Sequence, residues 1–196
     1  YMYCKFRSES AVKEALTSRY PRDKYTLTTK LHANYIKTKD DPDRIFNEQL
    51  EKTGVNLFDY YLIHNIGRDH YKKFTELDCF EWLKAKKEAG LVRHIGFSFH
   101  DSADVLDRVL SEHPEMEFVQ IQLNYLDWDS LSIQSGKCLE VCRKYGKPVL
   151  VMEPLKGGVL VKNVPDAAKE IFRSVRPDMS IPSWGYRFAA SRPGVR

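Results

Sequence analysis

The chain has 196 residues, of which 42% are hydrophobic, 30% charged and 12% aromatic. That is enough apolar chain for one domain with a sizeable core, in ordinary globular proportions. The net charge of +4 comes from 31 basic and 27 acidic side chains that are interspersed, so nucleic acid is not implied as a partner.

No run of 18 apolar residues exists and no signal peptide opens the chain, which excludes a membrane partner on this reading. The cysteines Cys4, Cys79, Cys138 and Cys142 form no C-x-x-C pair. Cys138 and Cys142 stand one helical turn apart with no histidine at ligand spacing. No metal site is expected from them; they read as buried or half-buried free thiols of a cytoplasmic protein. The chain opens at Tyr1, inside what reads as a structured segment, and ends shortly after a helix. A fragment of a longer polypeptide is the expectation.

Residues 8–19 read as a helix, capped by Ser8 or Ser10, with Val12, Ala15 and Leu16 as its apolar stripe. Pro21 ends it. Residues 25–31 (YTLTTKL) form a β-branched strand with Lys30 at its tip. Asp41-Pro42 opens the next helix, with Ile45, Phe46, Gln49 and Leu50 inward and Gly54 closing it. Residues 57–65 (LFDYYLIHN) are an almost unbroken apolar and aromatic run ending in His64 and Asn65. Such a run is too evenly apolar for a strand with one wet face and reads as a parallel strand buried on both faces.

Residues 75–89 predict a helix stopped by Gly90, and residues 92–98 a strand. A helix capped at Asp101-Ser102 carries Val105, Leu106, Val109 and Leu110. Strands follow at 118–123 and 148–153, with a helix over 131–145 between them and further helices near 165–173 and 180–191. Strand and helix alternate throughout, which gives a parallel sheet with crossover helices. The polar strand tips at Lys30, His64, Ser98, Gln122 and Glu153 recur about every 30 residues, the repeat of a (β/α)8 TIM barrel. The fold class is therefore α/β, a TIM barrel incomplete at both ends, with residues 1–196 as a single partial domain. A doubly wound sheet is the alternative, but its G-x-G-x-x-G turn is absent.

In a barrel the C-terminal strand ends converge on one mouth. Lys30, His64, Ser98, Gln120, Asn124 and Glu153 then come from different strands and can face one site. A desolvated lysine beside a phenol stabilises the phenolate, and a neutral histidine can donate to a carbonyl oxygen. A tyrosine tuned in this way can protonate an oxygen that develops negative charge, which is what a carbonyl reductase requires.

Several stretches match one family in order. They are Tyr1-Met2-Tyr3 with Ser8-Glu9, then Thr28-Thr29-Lys30-Leu31, and Tyr60-Tyr61-Leu62-Ile63-His64. Next come residues 90–98 (GLVRHIGFS), then Val119-Gln120-Ile121-Gln122 with Asn124-Tyr125, and Pro154-Leu155-Lys156-Gly157-Gly158. In these the chain resembles the aldo/keto reductases. The wording at residues 97–101, 152–155 and 182–184 is similar to the branch that often carries a C-terminal ferredoxin-like 4Fe-4S segment, which would lie beyond Arg196. The resemblance implies NADP, with NAD possible, and a small carbonyl substrate, an aldehyde or ketone reduced to an alcohol. It implies Tyr3 as general acid, Lys30 as its pKa-lowering partner and His64 as the group that orients the carbonyl. The family's aspartate, five residues before the tyrosine, would precede Tyr1. Ser98 and Gln120 match positions that hold the nicotinamide carboxamide. Met152 stands where many members stack an aromatic ring, and Phe99 where many have asparagine. Pro154, Leu155, Gly157 and Gly158 match the loop that brings backbone amides to the pyrophosphate.

Two other functions remain open on the residues alone: a nicotinamide-binding redox-sensing module without significant turnover, and Schiff-base chemistry on Lys30. His94 reads as structural, and Trp82 and Trp184 as packing. His32 and His100 are candidates for the site rim, Trp128 for rim or packing, and Lys84, Lys86 and Lys87 for a solvated helix face.

Overall fold

A computed structural model describes residues 1–196. The chain divides into two compact units, residues 1–99 with 113–117, and residues 100–112 with 118–196.

The first unit opens with a turn at Tyr3–Phe6 in which Cys4, Lys5 and Phe6 are left-handed, with φ of 52°, 56° and 64°. Helix α1 is Ser8–Val12, and it widens into a π-turn at Lys13–Thr17. Then come β1 (Thr28–His32), α2 (Asp41–Thr53), β2 (Phe58–Ile66), α3 (Arg68–Glu76), α4 (Cys79–Glu88) and β3 (Val92–Phe99). The three strands run parallel in the order β1-β2-β3. Strand β2 is the central one, and its buried apolar run is the one the sequence marks.

Two boundaries differ from expectation, each for a local reason. The first strand starts at Thr28, because the stretch before it is tied into a turn. Arg22 Nη1 donates to the Tyr25 carbonyl at 2.9 Å, and Leu27 N–H donates to the Asp59 carboxylate at 2.7 Å. The helix expected at 75–89 begins only at Cys79, because Asp78 is left-handed with φ 52°. A separate helix, α3, precedes it and buries Tyr71 and Phe74, one helical turn apart.

Helix α2 packs its inner side on the sheet. Phe46 lies against Phe58, Tyr61 and Trp82, with ring centroids 5.6, 5.4 and 5.9 Å away. Trp82 is thus a packing residue, and its indole N–H donates to Asp43 at 2.9 Å. The expected solvated lysine face is partly paired: Lys86 binds Asp43, and Lys87 binds Glu117 at 2.6 Å. His94 stacks on Tyr60 at 5.1 Å, the structural role expected of it.

The second unit contains α5 (Ala103–Glu112), β4 (Phe118–Gln122), α6 (Ser135–Lys144), β5 (Val149–Met152), α7 (Asp166–Val175) and α8 (Ile181–Ala190). Strands β4 and β5 are parallel, with Gln120 opposite Leu150 and Gln122 opposite Met152. Helix α6 starts four residues later than expected, because Gln134 is left-handed at φ 54° and residues 127–134 coil into turns. Leu106, Val109, Leu110, Leu139 and Val149 form the core beside Cys138 and Cys142. Trp128 serves packing: it meets Phe188 at 5.4 Å, and Arg192 lies over its ring at 5.4 Å.

Three of the four thiols are buried, and burial pushes Cys79, Cys138 and Cys142 up to about 12. Cys4 corrects the expectation of uniformly covered thiols, since it lies exposed on the left-handed turn after Tyr3. No helix is long and apolar enough to cross a membrane.

Candidate active site

Side chains alternate between the two faces of a strand, so the register of β1 to β3 decides which residues meet. Thr29 and Leu31 face α2, where Gln49 donates to the Thr29 hydroxyl at 3.0 Å. Lys30 and His32 therefore take the other face. Lys30 pairs with Leu62, His32 with His64, and Leu62 in turn with Gly96 on β3. Ser98, two residues beyond Gly96, shares that face. One face of the first unit thus carries Lys30, His32, His64 and Ser98, all toward the C-terminal ends of their strands.

Tyr3 joins this face. Its hydroxyl is 3.0 Å from His64 Nε2, and the two rings are 5.7 Å apart. Tyr3 is 49% exposed, whereas His64 is 8% exposed. A small ligand can therefore approach the pair from the tyrosine side. Two hydrogen-bonding groups this close can both reach a single carbonyl oxygen.

Burial acts on Tyr3 and on Lys30. It raises the Tyr3 phenol above its ordinary value of 10.0 and lowers the Lys30 ammonium below its ordinary 10.5. The sequence leads one to expect Lys30 to lower the tyrosine. The direction here is the opposite because desolvation, which favours the neutral phenol, is the cause at work. Tyr3 thus holds its proton throughout the neutral range.

Three histidines cluster at the strand ends. The His32 ring lies 4.9 Å from His64 and 5.1 Å from His70. Asn34 N–H donates to His32 Nδ1 at 3.1 Å, which puts the His32 proton on Nε2. His70 Nδ1 faces the Asn65 carbonyl at 2.9 Å and must donate to it. Burial first, and then the neighbouring His70, push the His32 pKa down, so His32 is a neutral donor. Sequence reading named His32 and missed His70. The signal for His70 was the Gly67 break after β2, followed by Tyr71 and Phe74 at helical spacing.

Ser98 is fully buried, and its hydroxyl oxygen accepts the Asn65 N–H at 2.8 Å. Asn65 is left-handed (φ 60°), and the β2–β3 register shifts between Ile63 and Ile66. Such bulges re-aim side chains next to sites. The Ser98 hydroxyl proton is not engaged by that bond and remains a donor.

The other expected residues belong to the second unit. Gln120 is half-buried on β4, and Met152 half-buried at the end of β5. Pro154, Leu155, Gly157 and Gly158 follow β5 in a chain that turns repeatedly into the left-handed region. The φ angles are 56° at Glu153, 48° at Lys156, 61° at Gly157 and 91° at Gly158. A Cβ placed on Gly158 would meet nothing within 4 Å, so the backbone there is open to an incoming group. No group of three or more His, Cys, Asp or Glu side chains is placed to hold a metal ion.

The model of the aldo/keto reductase family matches residues 1–193. Comparison with curated protein sequences finds no match. Among solved structures, a thermostable aldo-keto reductase in complex with the inhibitor epalrestat is similar, with TM-score 0.72, 22% identity, and coverage of 95% of this chain and 64% of that one. A Klebsiella pneumoniae aldo-keto reductase in complex with NADPH gives TM-score 0.71 and 20% identity over 99% and 65%. An aldo/keto reductase from Brucella melitensis gives 0.71 and 24% over 95% and 66%. The chain thus spans about two-thirds of the length of these relatives, and its fold class is α/β, with five strand–helix units of the TIM-barrel type. With its family model matched from residue 1 to residue 193, this chain belongs to the aldo/keto reductase family.

Proposed function

We propose that the protein reduces an aldehyde or ketone to an alcohol with NADPH, NADH being the alternative donor, with residues 1–196 as part of a single catalytic barrel domain. The observation that carries this reading is the Tyr3 hydroxyl 3.0 Å from His64 Nε2, on the strand face that also bears Lys30. The Klebsiella relative is described in complex with NADPH. The left-handed run at residues 153–158, with open space at Gly158, fits a loop that brings backbone amides to a pyrophosphate.

In this reading the carbonyl oxygen sits between the Tyr3 hydroxyl and His64 Nε2, and both donate to it. The nucleotide supplies the hydride to carbon. Tyr3 gives its proton to the oxygen as negative charge develops there, and Lys30, as a cation near the site, stabilises the phenolate left behind. Within the first unit Ser98 would be the group for the nicotinamide carboxamide; within the second, Gln120 and Met152 would be the candidates for the nicotinamide end and Pro154, Leu155, Gly157 and Gly158 for the phosphates. His32 and His70 close the site beside His64. The substrate is a small carbonyl compound, and the protein works in the cytoplasm. An iron–sulfur centre is no part of the proposal for these residues.

The test is nicotinamide oxidation by the full-length protein with a panel of small carbonyls. Tyr3→Phe is expected to lower kcat about 10²- to 10⁴-fold, the usual contribution of a positioned general acid. Wild-type turnover that survives Tyr3→Phe within threefold, roughly the scatter of such comparisons, would sink the assignment. One other reading is an imine formed on Lys30, whose ammonium burial pushes below its ordinary value. Borohydride that traps a carbonyl substrate on Lys30 would favour that reading over hydride transfer.

A further inference from the structure

The loop after β5 is held by Asn124, which the sequence offers as a site residue, and by Asp127, which has no role so far. Asn124 Nδ2 donates to the Glu153 carbonyl at 3.0 Å and to Asp127 Oδ2 at 2.7 Å. Its Oδ1 accepts the N–H groups of Leu126 and Asp127 at 3.1 and 2.9 Å, which fixes the amide's orientation. Asp127 is 4% exposed. Its Oδ1 takes the Lys156 ammonium at 2.6 Å, and its Oδ2 takes Gln122 Nε2 at 2.7 Å. Burial pushes the Asp127 carboxyl up, but the bonds from Lys156, Gln122 and Asn124 outweigh it and hold the group below its ordinary value. The pair with Lys156 is therefore a full ion pair over a buried carboxylate.

The two ties grip the loop at Glu153 and Lys156. These are its two left-handed residues with side chains, and non-glycine residues do not hold that conformation unaided. A third contact, Tyr125 Oη to the Leu160 carbonyl at 3.4 Å, lies just beyond. The bonds to Glu153 and Lys156 are the two that reach the loop, and those with Gln122, Leu126 and between Asn124 and Asp127 fix the two side chains within residues 122–127.

We propose that Asn124 and Asp127 form a bracket that holds the 153–158 loop in its nucleotide-receiving conformation, with Lys156 as its tie. This rests on the nicotinamide-nucleotide reading above. Asp127 acts through Lys156 and the loop backbone, as a positioning residue. The bracket predicts that loosening the loop weakens nucleotide binding while the chemistry on the first unit's strand face stays intact.

The test uses the full-length protein with two readouts, NADPH affinity and tryptic cleavage of the Lys156–Gly157 bond without nucleotide. Asp127→Asn should speed that cleavage about tenfold and raise the NADPH Kd about tenfold, the effect of losing one charge-assisted bond. The kcat at saturating nucleotide should not fall. Lys156→Met, which leaves the buried carboxylate in place, should weaken NADPH likewise, and Lys156→Arg should recover most of the affinity. A purely structural role would move stability without this split between Kd and kcat or the rescue by arginine. Unchanged cleavage and unchanged affinity in Asp127→Asn would overturn the bracket. Tighter NADPH binding in Asp127→Asn would overturn it too, because Lys156 would then serve the phosphate directly. If the wild type binds no nicotinamide nucleotide, the cofactor reading fails, and the cleavage rate of Asp127→Asn alone decides whether the bracket exists.

Discussion

Gln49 is the residue whose loss should cost the first unit most for the smallest change in volume. It is fully buried on α2. Its Nε2 donates to the Thr29 hydroxyl and to the Lys30 carbonyl, each at 3.0 Å, and its Oε1 accepts the Tyr61 hydroxyl at 2.6 Å. Gln49→Met keeps the length of the side chain and removes all three bonds. The Thr29 hydroxyl still has Glu9, to which it donates at 2.8 Å. The Tyr61 hydroxyl is left fully buried with no partner at that position, a cost of about 1–3 kcal/mol. The two lost donations add about 1 kcal/mol in total, because their acceptors keep other partners. The expected loss is therefore about 2–4 kcal/mol, or a fall in Tm of roughly 5–15 °C for a chain of this size. Urea unfolding of the full-length protein measures the loss directly. The sharper assay is the double-mutant cycle with Tyr61→Phe. Removing both partners leaves no orphan, so the double variant should be more stable than the sum of the singles predicts, by about 1–2 kcal/mol. A Gln49→Met variant within about 0.5 kcal/mol of wild type, the range of an ordinary surface substitution, would refute the argument, and so would strict additivity in the cycle.

Other consequences follow from the same contacts. Gly185→Ala places a methyl 2.5 Å from Leu155 Cδ2 and 3.1 Å from the Pro154 carbonyl, so it should displace the stretch after β5. Its expected signature is a raised KM for nucleotide, about tenfold, read by initial rates at varied NADPH. Native protein should show one fast-reacting thiol, Cys4, towards a thiol reagent at neutral pH. Cys79, Cys138 and Cys142, pushed up to about 12 by burial, should react only on unfolding, as mass spectrometry of labelled peptides would show. Burial raises the Asp59 carboxyl, but Leu27 N–H, Arg22 and Arg93 outweigh it and set it below its ordinary value. A carboxyl lowered on folding contributes stability that is present above its unfolded value, near 4, and is lost as pH falls through the folded value. Asp59→Asn should therefore flatten the acid limb of stability against pH, and an unchanged limb would remove Asp59 from that role.

What the sequence reveals here follows from the range of the forces involved. The apolar run of β2 and the polar residues at the strand ends are local patterns, so the parallel order and the positions of Lys30, His64 and Ser98 could be read directly. The breaks at Asp78 and Gln134 could not, because neither is a glycine and each is left-handed for reasons of tertiary context. The tie between Asp127 and Lys156 spans 29 residues and unites two loops with no shared pattern. Tyr3 was visible only through the family resemblance. Its place beside His64 depends on a contact across 61 residues that no periodicity predicts.

The same long-range polar contacts explain why the readable part of the site is arranged as it is. Thr29 and Tyr61 are register partners across β1 and β2, and Gln49 binds both from the helix side. In strands buried on both faces, apolar side chains alone discriminate weakly between registers, because either face is apolar. A one-residue slip of β1 against β2 would turn Lys30 toward α2, off the face of His64, and carry Thr29 away from Gln49. The slip would break the buried bonds of the Thr29 hydroxyl with Gln49 and Glu9, a penalty the apolar contacts do not impose by themselves. The amide on α2 thus fixes which face the lysine and the histidine share. The polar network behind the sheet and the reactive groups in front of it are two consequences of one register.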